Sequence, residues 1–351
     1  MVTVLPTLLI IGLLVGSILL IFRLPYSVYY LLLSSVLIIG FCFISQIVLR
    51  SVTQVVIAYV PVGRCHDLLE IDNVHWVELS TDLNAYTHER LSFHAVVADL
   101  ASRQLSAEWE RLLAIIALRG VPVYNVIQVC ESLTGRLPIK HLYENNLGSL
   151  LPSQSYLFFK RIIDIAIILV SAPMVMVLGA LVALGILWDS RHHGGAVLFT
   201  QSRIGQGGKL FTMYKFRSMV ATAEENGSKM ATTADFRVTK FGGFIRKARL
   251  DELPQFINVL KGEMSLIGPR PEQPDFVAQF NETIPFYRYR HIVKPGISGW
   301  AQVMHGYASD EDETRVKLEH DFFYIKNFSL TLDLLIVIKT IQTMLTGFGA
   351  K

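Results

Sequence analysis

The chain has 351 residues, room for two domains. With 52% hydrophobic and 17% charged residues and a mean hydropathy of +0.42, it is too apolar for a wholly soluble protein and reads as a membrane protein with substantial polar parts. The net charge of +3, with no long basic stripe and no aromatic-studded strand motif, argues against nucleic acid and suits an anionic membrane face or phosphorylated substrates. Cys42, Cys65 and Cys130 stand in unrelated contexts without C-x-x-C or Cys/His spacing, which fits a reducing cytoplasm and no structural zinc.

Residues 2–22 and 28–49 are apolar runs, each long enough to cross a ~30 Å hydrocarbon core as a helix. The first lacks the basic start and small-residue cleavage site of a secretory signal, so residues 1–50 read as a transmembrane helical hairpin turning at Arg23–Ser27. Arg50 and the basic chain beyond favour both ends of the hairpin on the cytoplasmic side. Residues 51–150 change character. Val55–Val60, Val74–Leu79, Phe93–Leu100 and Val121–Ile127 read as short buried strands and Ala107–Leu118 as an amphipathic helix. That alternation predicts a small α/β (Rossmann-like) module with a parallel sheet. Pro61–Arg64 stands where a G-x-G-x-x-G would follow the first strand, so dinucleotide binding is unsupported. His66, His75, His88 and His94 show no ligand spacing.

Tyr156–Trp188 is a third apolar segment, opened by Lys160, Arg161 and Asp164 and interrupted near its middle by Ser171-Ala-Pro173. Proline removes a backbone hydrogen bond and clashes with the preceding turn, so a helix should kink there. Basic residues lie at both ends. A helix broken at Ser171 and Pro173, entering and leaving by the same face, keeps both clusters on one side of the membrane. Hydropathy alone favours an ordinary kinked span.

The remaining polar stretch carries cations in turn and strand patterns. Gln201–Lys209 is a Gly-rich turn, and Phe211–Ser218 alternates like a strand with Lys215 and Arg217 on one face. A point charge and a planar fork together suit a diphosphate. Arg246 and Arg249 then crowd an adjacent carboxylate pair, Asp251 and Glu252, just before Pro254, a residue suited to the first turn of a helix. A helix N-terminus keeps Asp251 ionised and welcomes a phosphate. Gly262 is a natural stop, leaving Gly268–Pro271 as a stiff loop that presents Arg270. Successive helical residues diverge by about 100°, so the pair cannot flank a scissile bond as glycosidase acids do. One attacker and one metal ligand fits the pair better, and ordinary helix capping is the plain alternative. Leu330–Thr346, apolar but interrupted by Asp333 and Lys339, suits a helix lying in the membrane interface. Tyr287–Arg290 and Trp300 could dock at the headgroup layer or be buried.

Six ordered motifs, K-R-I-I-D from Lys160, Q-S-R-I-G from Gln201, Y-K-F-R-S-M from Tyr214, L-D-E-L-P-Q from Leu250, N-V-L-K-G-E-M-S-L-I-G-P-R-P from Asn258 and K-P-G-I-S-G-W-A-Q from Lys294, resemble the monotopic polyprenyl-phosphate phosphoglycosyl transferases. These are the bacterial sugar transferases that start exopolysaccharide, capsule and O-antigen assembly. The resemblance covers residues 156–351, which it marks as the catalytic domain, with a re-entrant helix over 160–188. The N-terminal half resembles a shortened version of the larger members, and Arg191–Gly195 replace the usual run after the membrane segment. The fold implied is a membrane-associated α/β protein with interfacial helices, on the cytoplasmic face of the bacterial inner membrane.

The resemblance implies transfer of a sugar 1-phosphate from a UDP-sugar to undecaprenyl phosphate, with release of UMP. In such a ping-pong cycle Asp251 is the nucleophile that forms a phosphosugar-aspartyl intermediate and Glu252 a Mg²⁺ ligand. Lys215, Arg217, Arg246 and Arg270 are expected on phosphates, and Asp321 resembles a family carboxylate close to the active centre. A homodimer is left open. Two rival readings are a catalytically idle scaffold for polysaccharide export and a membrane-bound nucleotide-sugar hydrolase.

Overall fold

The computed structural model describes residues 56–71, 74–81, 92–139, 151–193, 195–220, 237–306 and 310–346, with scattered positions before residue 42. The hairpin expected over residues 1–50 lies almost wholly outside the described residues. The chain divides into two compact units, Met1–Gly135 and Arg136–Lys351.

In the first unit, strands β1 (Val56–Tyr59), β2 (His75–Glu78) and β3 (Ala95–Ala98) are followed by helix α1 (Ala107–Leu118), strand β4 (Val123–Asn125) and helix α2 (Val126–Thr134). All four strands run parallel in the order β2-β1-β3-β4. The pleat sends alternate side chains to opposite faces. Val96 and Ala98 meet Trp109, Leu112 and Ile116 of α1, whereas Tyr59 and Val97 meet Leu68, Val126 and Val129. With both faces covered, β3 is buried throughout, which is why it reads as an unbroken apolar run. The expected fourth strand, Val121–Ile127, is corrected: it stops at Asn125, whose Oδ1 accepts the N–H of Ile127 and starts α2.

The second unit begins with α3 (Gln154–His193), a 40-residue helix with Pro173 inside it. Among the described residues, its stretch Gln154–Asp189 is the one helix long and apolar enough to cross a membrane. Ser171 and Pro173 were expected to divide this segment. The segment stays helical through both residues, without an unwound stretch, and Ser171 Oγ donates to the Ile168 carbonyl at 3.2 Å. Both halves pack on the same unit. Before Pro173, Asp164 accepts a 2.7 Å hydrogen bond from Ser265, and Arg161 donates to the carbonyls of Val259 and Leu260. After it, Val182 and Ile186 pack with Phe216 and Ile245. The outer side bares Leu169, Val170, Met174, Met176, Val177 and Leu181, an apolar surface of the kind that calls for an apolar surround.

The hairpin of β5 (Leu198–Ile204) and β6 (Leu210–Phe216) comes next, then α4 (Lys240–Lys247), a single 3₁₀ turn at Leu250–Glu252, and α5 (Gln255–Lys261). Strand β7 (Ser265–Ile267), helix α6 (Pro274–Thr283), a 3₁₀ turn at Tyr287–Ile292 and strand β8 (Gly296–Ser298) follow, and β7 pairs with β8 in parallel. A Cβ on Gly296 would lie 2.0 Å from the backbone N of Gly268, so only glycine lets these two segments meet. Helices α7 (Trp300–Met304), α8 (Glu311–Lys326) and α9 (Leu330–Thr346) close the unit over a core that includes Phe280, Tyr287, Trp300, Phe322, Tyr324 and Ile336.

Tyr287, Arg290 and Trp300 are buried, and Trp300 stacks on Phe323, which places them in this core and not at a headgroup layer. Helix α9 has the bounds expected for it. Its Asp333 points inward, however, taking hydrogen bonds from Lys160, Tyr156 and Tyr324. A carboxylate buried with that many donors tethers α9 to the start of α3.

Candidate active site

Asp251 and Glu252 occupy the 3₁₀ turn that precedes α5, not the helix itself. Helix α4 is capped at its start by Thr239, whose Oγ1 accepts the N–H of Gly242, and it delivers Arg246 toward the pair. Arg249, at φ 58°, then adopts the left-handed conformation that reverses the chain into the turn. Non-glycine residues seldom sit there, and such positions collect at functional sites. Pro254 and Gly262 bound α5 as expected, Gly262 with φ 84°.

Three cations converge on one oxygen of Glu252. Arg270 Nη1 donates to Oε1 at 3.1 Å, Lys215 Nζ lies 3.5 Å from it and Arg249 Nη1 3.8 Å. Burial alone would push the Glu252 carboxyl up, but Arg270, then Lys215 and Arg249, hold it down at about 2. Asp251 is shifted the other way: burial, then the charge of Glu252, raises it, against the opposing pull of Lys215, Arg270 and Arg246. Helix-terminus physics leads one to expect the Asp251 carboxyl to be held down; burial and Glu252 instead raise it from its ordinary value. Its neighbour is the securely charged member, and Asp251 is the one whose charge is disfavoured. Among the described residues its Oδ1 is buried without a hydrogen-bond partner. A buried, unpaired acceptor is uncommon in a folded protein and calls for an explanation.

Lys215 reaches the pair from β6, and its amine is lowered by burial and by Arg270. The outer edge of this strand is completed by a side chain in place of another strand. Asn258 of α5 accepts the Tyr214 N–H and donates to the Thr212 carbonyl, pinning the strand edge just before Lys215. Arg217 falls just beyond the strand, its N–H on the Val197 carbonyl.

Of the residues expected to act on phosphate, the structure gathers Lys215, Arg246 and Arg270 around the pair and adds Arg249. Asp321 is placed differently. At 1% exposure it lies under the Gly268–Pro271 loop, its Oδ2 taking two hydrogen bonds from Arg290. Asn258 and Arg290 escaped the sequence reading. A signal existed for Asn258, an amide inside the apolar face of a short helix.

Mg²⁺ is bound by one or two carboxylates together with phosphate oxygens and water. The residues present fit it: the buried Glu252 carboxylate, kept charged by its cations, offers a hard oxygen beside Asp251. Among the described residues no group of three or more His, Cys, Asp or Glu side chains could hold a metal ion, so phosphate oxygens would complete the shell.

Residues 155–347, over half the chain, match the sequence profile of the Bacterial sugar transferase family. The chain belongs to that family. Among curated relatives, the UDP-N-acetylgalactosamine-undecaprenyl-phosphate N-acetylgalactosaminephosphotransferase of Aeromonas hydrophila is 52% identical over 341 residues, which are 97% of this chain and 78% of that protein. The UDP-glucose:undecaprenyl-phosphate glucose-1-phosphate transferases of Klebsiella pneumoniae and Escherichia coli are 34% and 35% identical over 65% of this chain. The match spans 48% of the length of each of those two proteins.

Proposed function

We propose that this family member transfers a sugar 1-phosphate from a UDP-sugar to undecaprenyl phosphate and releases UMP, as the first membrane step of a polysaccharide or glycoconjugate. The Aeromonas hydrophila relative, matched over 97% of this chain, is named for UDP-N-acetylgalactosamine, which makes that nucleotide sugar the donor to try first. The observation that carries the reading is Asp251 Oδ1: a buried, unpaired carboxylate oxygen within a ring of Lys215, Arg246 and Arg270.

In the first step an Asp251 oxygen attacks the β-phosphorus of the donor. A P–O bond forms to the carboxylate and the bond to UMP breaks, UMP leaving with the electron pair. The cations offset the repulsion between an anionic nucleophile and a diphosphate. In the second step a phosphate oxygen of the polyprenyl acceptor attacks the same phosphorus, and the Asp251 carboxylate is regenerated. Splitting one hard displacement into two is the general benefit of a covalent intermediate. Mg²⁺ held by Glu252, with Asp251 beside it, would neutralise charge on the diphosphate.

The membrane part of the reading is a re-entrant α3 on the cytoplasmic face of the inner membrane. Its support is that Asp164 and Val182, on opposite sides of Pro173, both pack on the same polar unit while the outer side of the helix stays apolar. Single cysteines placed at Gln154 and Asp189 in a cysteine-free background should both label from the cytoplasmic side only; labelling from opposite sides would indicate a span.

The decisive experiment is Asp251→Asn with radiolabelled UDP-N-acetylgalactosamine. Wild-type protein should accumulate label on protein without acceptor and pass it to polyprenyl phosphate when acceptor is added. The variant should do neither, and substantial turnover by it would exclude the nucleophile. UMP release with no lipid product would point to a hydrolase.

A further inference from the structure

The loop that presents Arg270 is held from behind by helix α8, and the contacts end on backbone atoms of the loop. Lys317 and Asp321 are four residues apart on α8 and so share one face of it. Asp321 Oδ2 accepts from Arg290 Nε at 3.2 Å and Nη2 at 2.9 Å. The same Nη2 donates to the carbonyl oxygen of Arg270 at 3.0 Å, and Nη1 donates to the Tyr287 hydroxyl at 2.7 Å. One residue on, Arg203 Nη1 donates to the Pro271 carbonyl at 3.1 Å and lies 3.8 Å from Glu272 Oε2. Lys317 Nζ donates to Glu272 Oε1 at 2.6 Å. Two successive carbonyls, those of Arg270 and Pro271, are therefore each gripped by a guanidinium, and each guanidinium meets a carboxylate that is itself on α8 or bound to it.

We propose that Arg290, with Asp321 and Lys317 of α8, is a positioning set that fixes the backbone of Arg270 so that its guanidinium meets Glu252 and the donor's diphosphate. This rests on the proposed function in one respect, the role of Arg270 on the diphosphate. Asp321 acts through Arg290 and touches no substrate, since it is almost fully buried. A plain core ion pair would need only Arg290, Asp321 and Tyr287. The further bond to Arg270 O, at the one loop residue whose side chain reaches the carboxylate pair, is what a purely structural pair leaves unexplained. Geometry at a reacting centre is worth this much support, because a misplacement of about 1 Å can lower a rate on the order of a hundredfold.

The test is a double-mutant cycle on the full chain, read in two ways: kcat/KM for UMP release from UDP-N-acetylgalactosamine with polyprenyl phosphate, and the Kd for UDP. Asp321→Asn should lower kcat/KM about a hundredfold and weaken UDP binding. Combined with Arg270→Ala, it should fall no more than about threefold below Arg270→Ala alone, since removing the positioned group removes what positioning contributes. Losses that multiply would show that Asp321 acts independently of Arg270, and would overturn the proposal. If Asp321→Asn does not fold, Lys317→Gln replaces it in the same cycle, with a loss of roughly tenfold and the same absence of multiplication. A wild-type protein that releases no UMP, yet shows a coupled cycle in UDP binding, would leave the positioning set standing and remove the proposed reaction. Normal turnover with multiplying losses would do the reverse.

Discussion

Asp251 and Asp321 are both acids buried to more than nine-tenths, and burial raises the carboxyl of each. What separates them is hydrogen bonding. Asp321 Oδ2 receives two bonds from one guanidinium, whereas Asp251 Oδ1 receives none among the described residues. The cations around the carboxylate pair instead settle on Glu252 Oε1. A buried carboxylate with its donors in place stabilises a loop, and one surrounded by charge but left without a donor is free to bond to something else. Burial and nearby charge are thus common to both roles, and the unused lone pair distinguishes them.

The largest expected effect exploits that difference. Asp251→Asn should lower turnover by about ten-thousandfold or more, the scale of losing a nucleophile, measured as UMP release. The same variant should melt at a higher temperature than wild type at neutral pH. A carboxyl whose folded pKa is raised favours the folded state only below its unfolded pKa, and that favour is lost as pH rises through the folded value. An amide carries no such penalty. Asp321→Asn relieves the same burial penalty, but it also leaves Arg290 buried without its counter-ion, a loss of about 3–5 kcal/mol that should outweigh the relief and destabilise the protein; chemical denaturation measures this. Two identical substitutions of opposite sign would establish the contrast, and equal signs would break it. Glu252, held at about 2, contributes stability that is present above its ordinary carboxylate pKa and is lost as pH falls toward 2.

Much of this was readable in the sequence wherever the determining interactions are local. The unbroken apolar runs around Ala58 and Val96 announced a covered parallel sheet, and Ala107–Leu118 and Leu330–Thr346 carried their own bounds. The carboxylate pair and its cations stood out because Arg246, Arg249, Asp251 and Glu252 crowd into seven residues. What stayed hidden depends on partners far apart in the chain. Arg290 meets Asp321 across 31 positions, and Asn258 meets Tyr214 across 44. No periodicity encodes such pairings. The start of α2 was lost for a different reason: Val126 and Ile127 prolong the apolar run of β4, and only the Asn125 cap divides strand from helix. Trp300 was ambiguous because an aromatic ring suits a core and a headgroup layer equally well until its neighbours are known.

The smaller effects sharpen the same comparison. Arg246→Gln takes away a cation that holds the Asp251 carboxyl down, so the acid limb of its kcat/KM profile should move to higher pH than in wild type. A limb that stays in place would show that Asp251 titration does not set the profile. The smallest effect belongs to a surface ion pair. Arg315 lies 3.9 Å from Glu311 one turn away on α8, and both side chains are nearly half exposed. Water screens both charges, and holding two long side chains together opposes the attraction. Arg315→Ala should therefore change stability by no more than about 0.5 kcal/mol, although it removes a salt bridge from the same helix that carries Asp321. A loss from Arg315→Ala approaching that of Asp321→Asn, by the same denaturation measurement, would mean that membership of α8, and not burial against Arg290, is what makes the acid matter.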